Sequence, residues 1–186
     1  MFLRTFPGQI NDIKELVSQV QGDDLILVEI GSYRGESMEI FAESNKFKTI
    51  YCIDPWESGF DEKDMCDIAG FAEIEKTFDE KANKFNFIKK IKNKSFDASK
   101  HFEDESIDIV YIDGMHTPEA LELDIKTWLP KLKKTGYITG HDWHLKDGFL
   151  QNTIKKMIGQ PDYICEHVKF GGNSDGSWLK RKNNIT

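Results

Sequence analysis

The sequence predicts an α/β fold of three layers, with a doubly wound, mostly parallel sheet covered by helices on both faces. Three observations lead there. Strand-like and helix-like patterns alternate almost from the start of the 186 residues. The strand candidates Leu25–Ile30 and Ile107–Ile112 are nearly unbroken apolar runs, as suits strands buried on both faces. The last two strand candidates flank a glycine-rich turn, which reads as an antiparallel pair closing the sheet.

The elements follow in order. Ile10, Ile13, Leu16, Val17 and Val20 recur at helical spacing and stop at Gly22. After the first strand, a short helix over about 35–44 buries Met38 and Phe41, and a second strand covers 49–53 before Asp54-Pro55. Residues 56–66 are acidic and aperiodic, as expected of a loop or lid. Ile68, Phe71, Ile74 and Phe78 mark a helix, and Phe85-Asn86-Phe87-Ile88 a third strand. Beyond the fourth strand, Thr117-Pro118-Glu119 is a good helix start: threonine caps, proline takes the first turn, and glutamate suits the positive helix end. Leu121, Ile125, Trp128 and Leu129 form that helix's core face. Tyr137-Ile138-Thr139 is the fifth strand, reached through Lys134-Thr135-Gly136. A helix carrying Phe149, Leu150, Ile154, Met157 and Ile158 precedes the final pair, 163–168 and 177–180. No repeat or linker divides the chain, so one domain is expected over 1–186.

Composition is globular, with 39% hydrophobic and 31% charged residues. The net charge of −7 argues against a surface built to follow nucleic-acid phosphates. The lysines between Lys84 and Lys100 read as a solvated face. Three scattered cysteines without a CxxC do not suit a disulfide scaffold or a cysteine zinc site. No run approaches the ~20 apolar residues of a membrane span, and a Pro7-Gly8 break falls where a signal peptide needs its apolar core. The expectation is a cytoplasmic protein acting on a small molecule, without nucleic-acid or membrane partners.

In open α/β sheets ligands bind beyond the carboxyl ends of the strands. Here those ends are polar: Glu29-Ile30-Gly31-Ser32, Asp54-Pro55-Trp56, Asp113-Gly114-Met115-His116 and His141-Asp142-Trp143-His144. Gly31 allows a sharp turn and close ligand approach, and Gly35 lets the next helix start nearby. The spacing is GxxxG, neither the dinucleotide GxGxxG nor a phosphate loop with its lysine. The acid before it suits a ligand with a cationic end. Asp54, 23 residues beyond Gly31, is placed to accept both hydroxyls of a ribose, with Trp56 available to cover an adenine; a capping aspartate and core tryptophans are the plainer readings.

VEIGSYRGES, YCIDPW, IDIVYIDGMHTPEAL and GYITGHDW occur in the order and spacing of class I S-adenosylmethionine-dependent methyltransferases, which the chain resembles from about residue 9 to 181. It is most similar to the small metal-dependent O-methyltransferases, of the catechol and macrocin type, a branch including cephalosporin hydroxylase-like proteins. The resemblance implies a Rossmann-like, seven-stranded sheet whose last strand is antiparallel. It implies that the turn Glu29, Gly31, Ser32, Tyr33, Gly35 and Ser37 holds the methionine portion of S-adenosylmethionine, with Asp54 on the ribose, Ser95 near the adenine, and Asp113 beside the cofactor.

Asp113 and Asp142 end strands that this fold makes neighbours, ~4.8 Å apart, so their carboxylates can share a divalent cation such as Mg²⁺ or Mn²⁺. In the resembled enzymes the metal takes one acid after strand four and an adjacent pair after strand five; Asp113 and the pair His141-Asp142 stand there. The histidine departs from that pattern and leaves open which metal is held, or whether one is. His116 follows Asp113 by three residues, where the catechol-type enzymes carry a catalytic lysine, and is a suitable general base. Its alternative role is a cap for the next helix. His144 is the other candidate base. The expected reaction is transfer of a methyl group from S-adenosylmethionine to a hydroxyl of a sugar or natural-product-like molecule. Two other readings stand beside it: an iron-dependent oxygenase using two histidines and a carboxylate, and a non-catalytic cofactor-binding module. The short rim suggests a homodimer.

Overall fold

The computed structural model describes residues 7–58, 70–144, 148–165 and 176–185. The first half alternates α1 (Pro7–Gln19), β1 (Leu25–Ile30), α2 (Glu36–Glu43), β2 (Phe47–Asp54), α3 (Phe71–Ala82) and β3 (Ile88–Lys92). The second half continues with α4 (Ser95–Ser99), β4 (Ile107–Ile112), α5 (Pro118–Trp128), β5 (Leu132–Gly140), α6 (Phe149–Ile158), β6 (Tyr163–Cys165) and β7 (Ser177–Arg181). The seven strands form one sheet in the order β3-β2-β1-β4-β5-β7-β6. β1 to β5 pair in parallel, and β7 runs antiparallel to both β5 and β6.

The topology explains the apolar runs. Each central strand sends alternate side chains to opposite cores. Leu27, Cys52, Ile109 and Tyr111 join the core made with α1, α2 and α3, including Ile13, Leu16, Met38, Phe41, Ile74 and Phe78. Val28, Ile30, Val110 and Ile112 join the other, with Leu121, Ile125 and Trp128 of α5 and Leu150, Ile154 and Ile158 of α6. The chain winds outward from β1 through β2 to β3, then returns and winds the other way through β4 and β5. That reversal leaves a crevice at the carboxyl ends of β1 and β4, the switch point where this class of sheet binds ligands.

Local signals place the remaining boundaries. Thr117 caps α5, its hydroxyl accepting the Ala120 N–H at 3.2 Å, with Pro118 in the first turn. The cap is thus Thr117 and not His116, which is left to the site. The third strand differs from expectation: it begins at Ile88, where 85–88 was expected to be the strand, and reads IKKIK. Lysines suit the sheet edge, where a charged strand resists further pairing, and they hide the strand from a search for apolar residues. The basic stretch around it is matched locally, with Lys90 on Glu75 and Asp79, Lys92 on Glu75 and Lys100 on Asp97. Lys134-Thr135-Gly136, expected as a connection, lies inside β5. There Ile107 pairs with Leu132 and Ile109 with Tyr137, so a bulge absorbs the extra residues of β5. A Cβ on Gly136 would sit 2.8 Å from the Asp108 carbonyl, which is why glycine stands in the bulge. The expected lid over 56–66 and the helix residue Ile68 lie largely or wholly outside the described residues, as does the strand end beyond Cys165. Among the described residues no helix is long and apolar enough to cross a membrane.

Gly140 tests the packing of β5 between its neighbours. An added Cβ would stand 2.5 Å from the Ile112 carbonyl oxygen and 3.0 Å from the Trp178 ring. Gly140→Ala is expected to cost about 1–3 kcal/mol, lowering the melting temperature by roughly 2–12 °C in a thermal melt. An unchanged melt would refute this close approach.

Candidate active site

The first wall of the crevice is the turn after β1. Gly31 has φ +86°, and a Cβ there would meet the Asp113 carbonyl oxygen at 2.0 Å. The Asp113 N–H also donates to the Ile30 carbonyl, and the Gly31 N–H ties the turn to β2 by donating to the Ile53 carbonyl, each at 2.9 Å. Tyr33 and Gly35 also have positive φ, 43° and 75°. Glu29 holds the turn from below: it is wholly buried, and its carboxylate accepts the Ser32 hydroxyl at 2.6 Å and the Ser37 hydroxyl at 2.5 Å. Burial raises the Glu29 pKa to about 7; the two hydroxyls oppose that shift and the negative charge of Asp113 adds to it. The acid, hydroxyls and glycines read as one ligand loop in the sequence are thus a single braced structure.

The second wall comes from β2. Asp54 is its last residue, and its oxygens accept the backbone N–H groups of Tyr33 at 2.9 Å and Trp56 at 2.7 Å. Burial raises its pKa, while those N–H groups work against the shift. Each oxygen has two acceptor positions, and among the described residues one on each is not taken by these N–H groups. Trp56 has a different place from the one the sequence suggested. Its indole N–H donates to the Tyr33 carbonyl at 2.8 Å, its ring packs on Phe78 at 4.7 Å, and the Lys90 ammonium lies 4.8 Å from its centroid. A ring only 3% exposed and flanked in this way is a core side chain that ties the β1 turn to the β2 exit, not a free face for an adenine. Trp143, also 3% exposed, is likewise buried.

Ser95 begins α4 and joins a partly buried chain of hydrogen bonds: Trp128 Nε1 donates to its hydroxyl at 2.8 Å, and the hydroxyl donates to Asp124 at 2.5 Å. Asp124 was not singled out in the sequence, where it is one more acid on an amphipathic helix. It is buried, its pKa is raised by that burial to about 6, and its Oδ2 faces Gly114.

The opposite side of the crevice is built by the exits of β4 and β5. One donor atom each from Asp113, His141 and Asp142 lie within 4.8 Å of one another, a spacing suited to a metal ion. Asp142 has φ +59°, which turns it back toward the strand ends. Its Oδ1 lies 3.1 Å from His141 Nδ1 and its Oδ2 lies 2.8 Å from His116 Nε2; His116 Nε2 is also 3.8 Å from Asp113. Burial pushes the Asp142 pKa upward, but the two imidazoles prevail and hold it well below the usual carboxylate range. Trp178 of β7 donates its indole N–H to the His141 carbonyl at 3.2 Å and so braces the turn. His144 is outside this group, with Nδ1 3.1 Å from Gln151 Nε2 on α6. The sequence also missed Tyr111. It sits in register between Glu29 and Thr139, fully buried, and among the described residues its hydroxyl has no hydrogen-bond partner. A single tyrosine on an otherwise apolar strand leaves no pattern to read.

Residues 28–143 match a family model described as a methyltransferase domain. The chain belongs to that family. An uncharacterized protein of Acanthamoeba polyphaga mimivirus is 30% identical over 151 residues, 77% of this chain and 62% of that protein. An uncharacterized protein of Sinorhizobium fredii is 25% identical over 128 residues, 65% of this chain and 13% of that protein. The chain therefore spans less than two thirds of the length of either relative. Among solved structures, an rRNA methylase from Streptococcus thermophilus superposes with TM-score 0.65 at 10% identity, covering 96% of this chain and 97% of that one. A Streptococcus mutans protein solved in complex with SAH (S-adenosylhomocysteine) gives 0.61 at 15% identity, covering 95% and 97%. These likenesses establish a shared fold.

Glu29 makes stability depend on pH. Its folded pKa, about 7, exceeds its ordinary value of 4.5, so the folded state holds the proton more tightly. Its contribution is present below pH ~4.5 and is lost as pH rises through ~7, an effect of order 3 kcal/mol at most. Glu29→Gln should flatten the fall in stability between pH 5 and 7 in denaturant titrations. An identical pH slope in the two proteins would show that the side chain does not titrate there.

Proposed function

We propose that this chain transfers a methyl group from S-adenosylmethionine to a hydroxyl of a small molecule, such as a sugar or natural-product-like acceptor, with help from a divalent cation. The observation that carries the reading is the pairing, across one switch point, of the Asp54 carboxylate at the end of β2, fixed by two backbone N–H groups, with a converging Asp113–His141–Asp142 donor set at the ends of β4 and β5. Family membership and the likeness to the SAH-bound fold support the cofactor. The oxygenase alternative leaves the Gly31 turn and Asp54 without a role.

When bound, the cofactor supplies an electrophilic methyl on a sulfonium, and a cation would lower the pKa of the acceptor hydroxyl. The donor set is chemically suited to a divalent ion: two carboxylates and an imidazole, close together and mostly shielded. The chain's own residues bind and orient. Asp54 receives the ribose hydroxyls, and the turn from Gly31 to Gly35 lies where the methionine portion would come against backbone. His116 Nε2 faces Asp142, which orients the ring and leaves Nδ1 to take the acceptor's proton. The acceptor oxygen forms the new O–C bond as the S–C bond breaks, and the proton passes through His116 to solvent. Holding donor and acceptor in line is the larger part of the catalysis.

Calorimetric titration with SAH tests the cofactor, with micromolar binding expected and a loss of at least about tenfold in Asp54→Ala. No binding to the unsubstituted protein would overturn the reading. In a labelled-methyl assay over phenolic and sugar acceptors, His116→Gln is expected to lower kcat about 10²–10⁴-fold while SAH affinity stays within a few-fold. A variant retaining full kcat would remove His116 from the base role.

A further inference from the structure

We infer that the Asp113–His141–Asp142 centre is built for a nitrogen-accepting first-row transition ion, of the Mn²⁺, Fe²⁺, Co²⁺ or Zn²⁺ class, rather than Mg²⁺ or Ca²⁺, and that His141 sets this preference. The inference rests on the metal-assisted reading above and specifies its cation.

The donor set is mixed. Hard, oxygen-seeking Mg²⁺ and Ca²⁺ are served by carboxylates, carbonyls and water, whereas imidazole favours the later divalent ions. One of the three converging donors here is an imidazole, and it is as shielded as its neighbour, with side chains 8% exposed for His141 and 10% for Asp142 against 18% for Asp113. Shielding itself disfavours Mg²⁺, which gives up its waters reluctantly.

The spacing agrees. Bonds of about 2.0–2.2 Å to one ion place neighbouring donors roughly 3.0–3.4 Å apart. His141 Nδ1 and Asp142 Oδ1, hydrogen-bonded to each other, already stand at 3.1 Å, a separation that an ion replacing the shared proton would keep. The third donor, Asp113, lies within 4.8 Å, and among the described residues its carboxylate is tied only by the 3.8 Å contact to His116, so side-chain rotation can close it inward. The rest of the surroundings are rigid. Trp178 holds the His141 carbonyl, and Gly140 is wedged against Ile112 and Trp178, so the imidazole is presented from fixed backbone. His116 stands behind Asp142 at 2.8 Å, the place of an outer partner that orients a ligating carboxylate. The rival arrangement needs no metal, with the two imidazoles themselves balancing the charge of Asp142.

The test is calorimetric titration of tag-free, chelator-treated protein with Mg²⁺, Mn²⁺ and Co²⁺ separately, without S-adenosyl ligand, together with the visible absorption of bound Co²⁺. Expected are one equivalent of Mn²⁺ or Co²⁺ bound at least about 100-fold more tightly than Mg²⁺, and Co²⁺ bands that shift in His141→Asp. In that variant the ratio should fall below about tenfold. Asp113→Asn, which keeps the histidine, should weaken all three ions by roughly 10–100-fold, and supports the site if His141→Asp does not fold. Equal affinity for Mg²⁺ and Mn²⁺, an unchanged ratio in His141→Asp, or no binding of any ion would overturn the inference. SAH titrated into the same sample separates the claims: SAH binding without metal binding removes this inference and the cation's part in the reaction but leaves the cofactor reading standing, and metal binding without SAH binding removes the methyltransferase reading.

Discussion

The backbone of Gly31 lies against the carbonyl of Asp113 so closely that no side chain could stand between them. This contact is where the β1 and β4 exits meet at the point of strand reversal, and the remainder of the site is arranged around it. It fixes the turn that leads into α2, with Glu29 beneath and Ser32 and Ser37 bonded to it. It also sets where the β4 exit leaves the sheet, and thereby the distance from Asp113 to His141 and Asp142 on the neighbouring strand. Glycine is required because φ is +86° and because the space a Cβ would need is taken by backbone.

The site is rich in buried acids, and each is made tolerable differently. Glu29 has two hydroxyl donors and a raised pKa, so it can sit neutral near pH 7. Asp54 keeps its place by accepting two backbone N–H groups. Asp124 depends on one serine hydroxyl and is pushed to about 6. Asp142 alone lies between two imidazoles and stays ionised. Burial costs a lone charge several kcal/mol, so the acid held firmly ionised is the one flanked by two imidazoles. The antiparallel strand β7 contributes here too, since Trp178 holds the turn from which His141 and Asp142 project.

Much of this was legible because fold class and strand-end chemistry are both written locally. Apolar runs of six residues or so mark strands buried on both faces, and a polar residue directly after such a run must lie at the strand's exit. That logic found Glu29, Asp54, Asp113 and Asp142, and their neighbours His116 and His141. It failed where identity and environment part company. β3 is lysine-rich because it is an edge, and its Lys90 lies over the Trp56 ring and on two acids. Trp56 itself follows an acidic strand end as a ligand-facing residue would, yet Phe78 and Lys90 enclose it. Tyr111 and Asp124 are polar side chains on otherwise apolar faces, and nothing in their spacing sets them apart.

Short stretches of chain are enough to set the alternation of elements, the sharp turns at Gly31 and Gly35, the capped start of α5, and the set of chemical groups delivered to one edge of the sheet. These depend on the periodicity of burial and on backbone conformations that few residues adopt, and both are properties of short segments. Tertiary structure decided which groups meet: that His116 and His141 share Asp142, that Ser95 is bound to Asp124, and that the Trp56 ring is enclosed. Those outcomes depend on the register between strands far apart in the chain, where a difference of a few ångströms separates a metal donor from a buried ion pair.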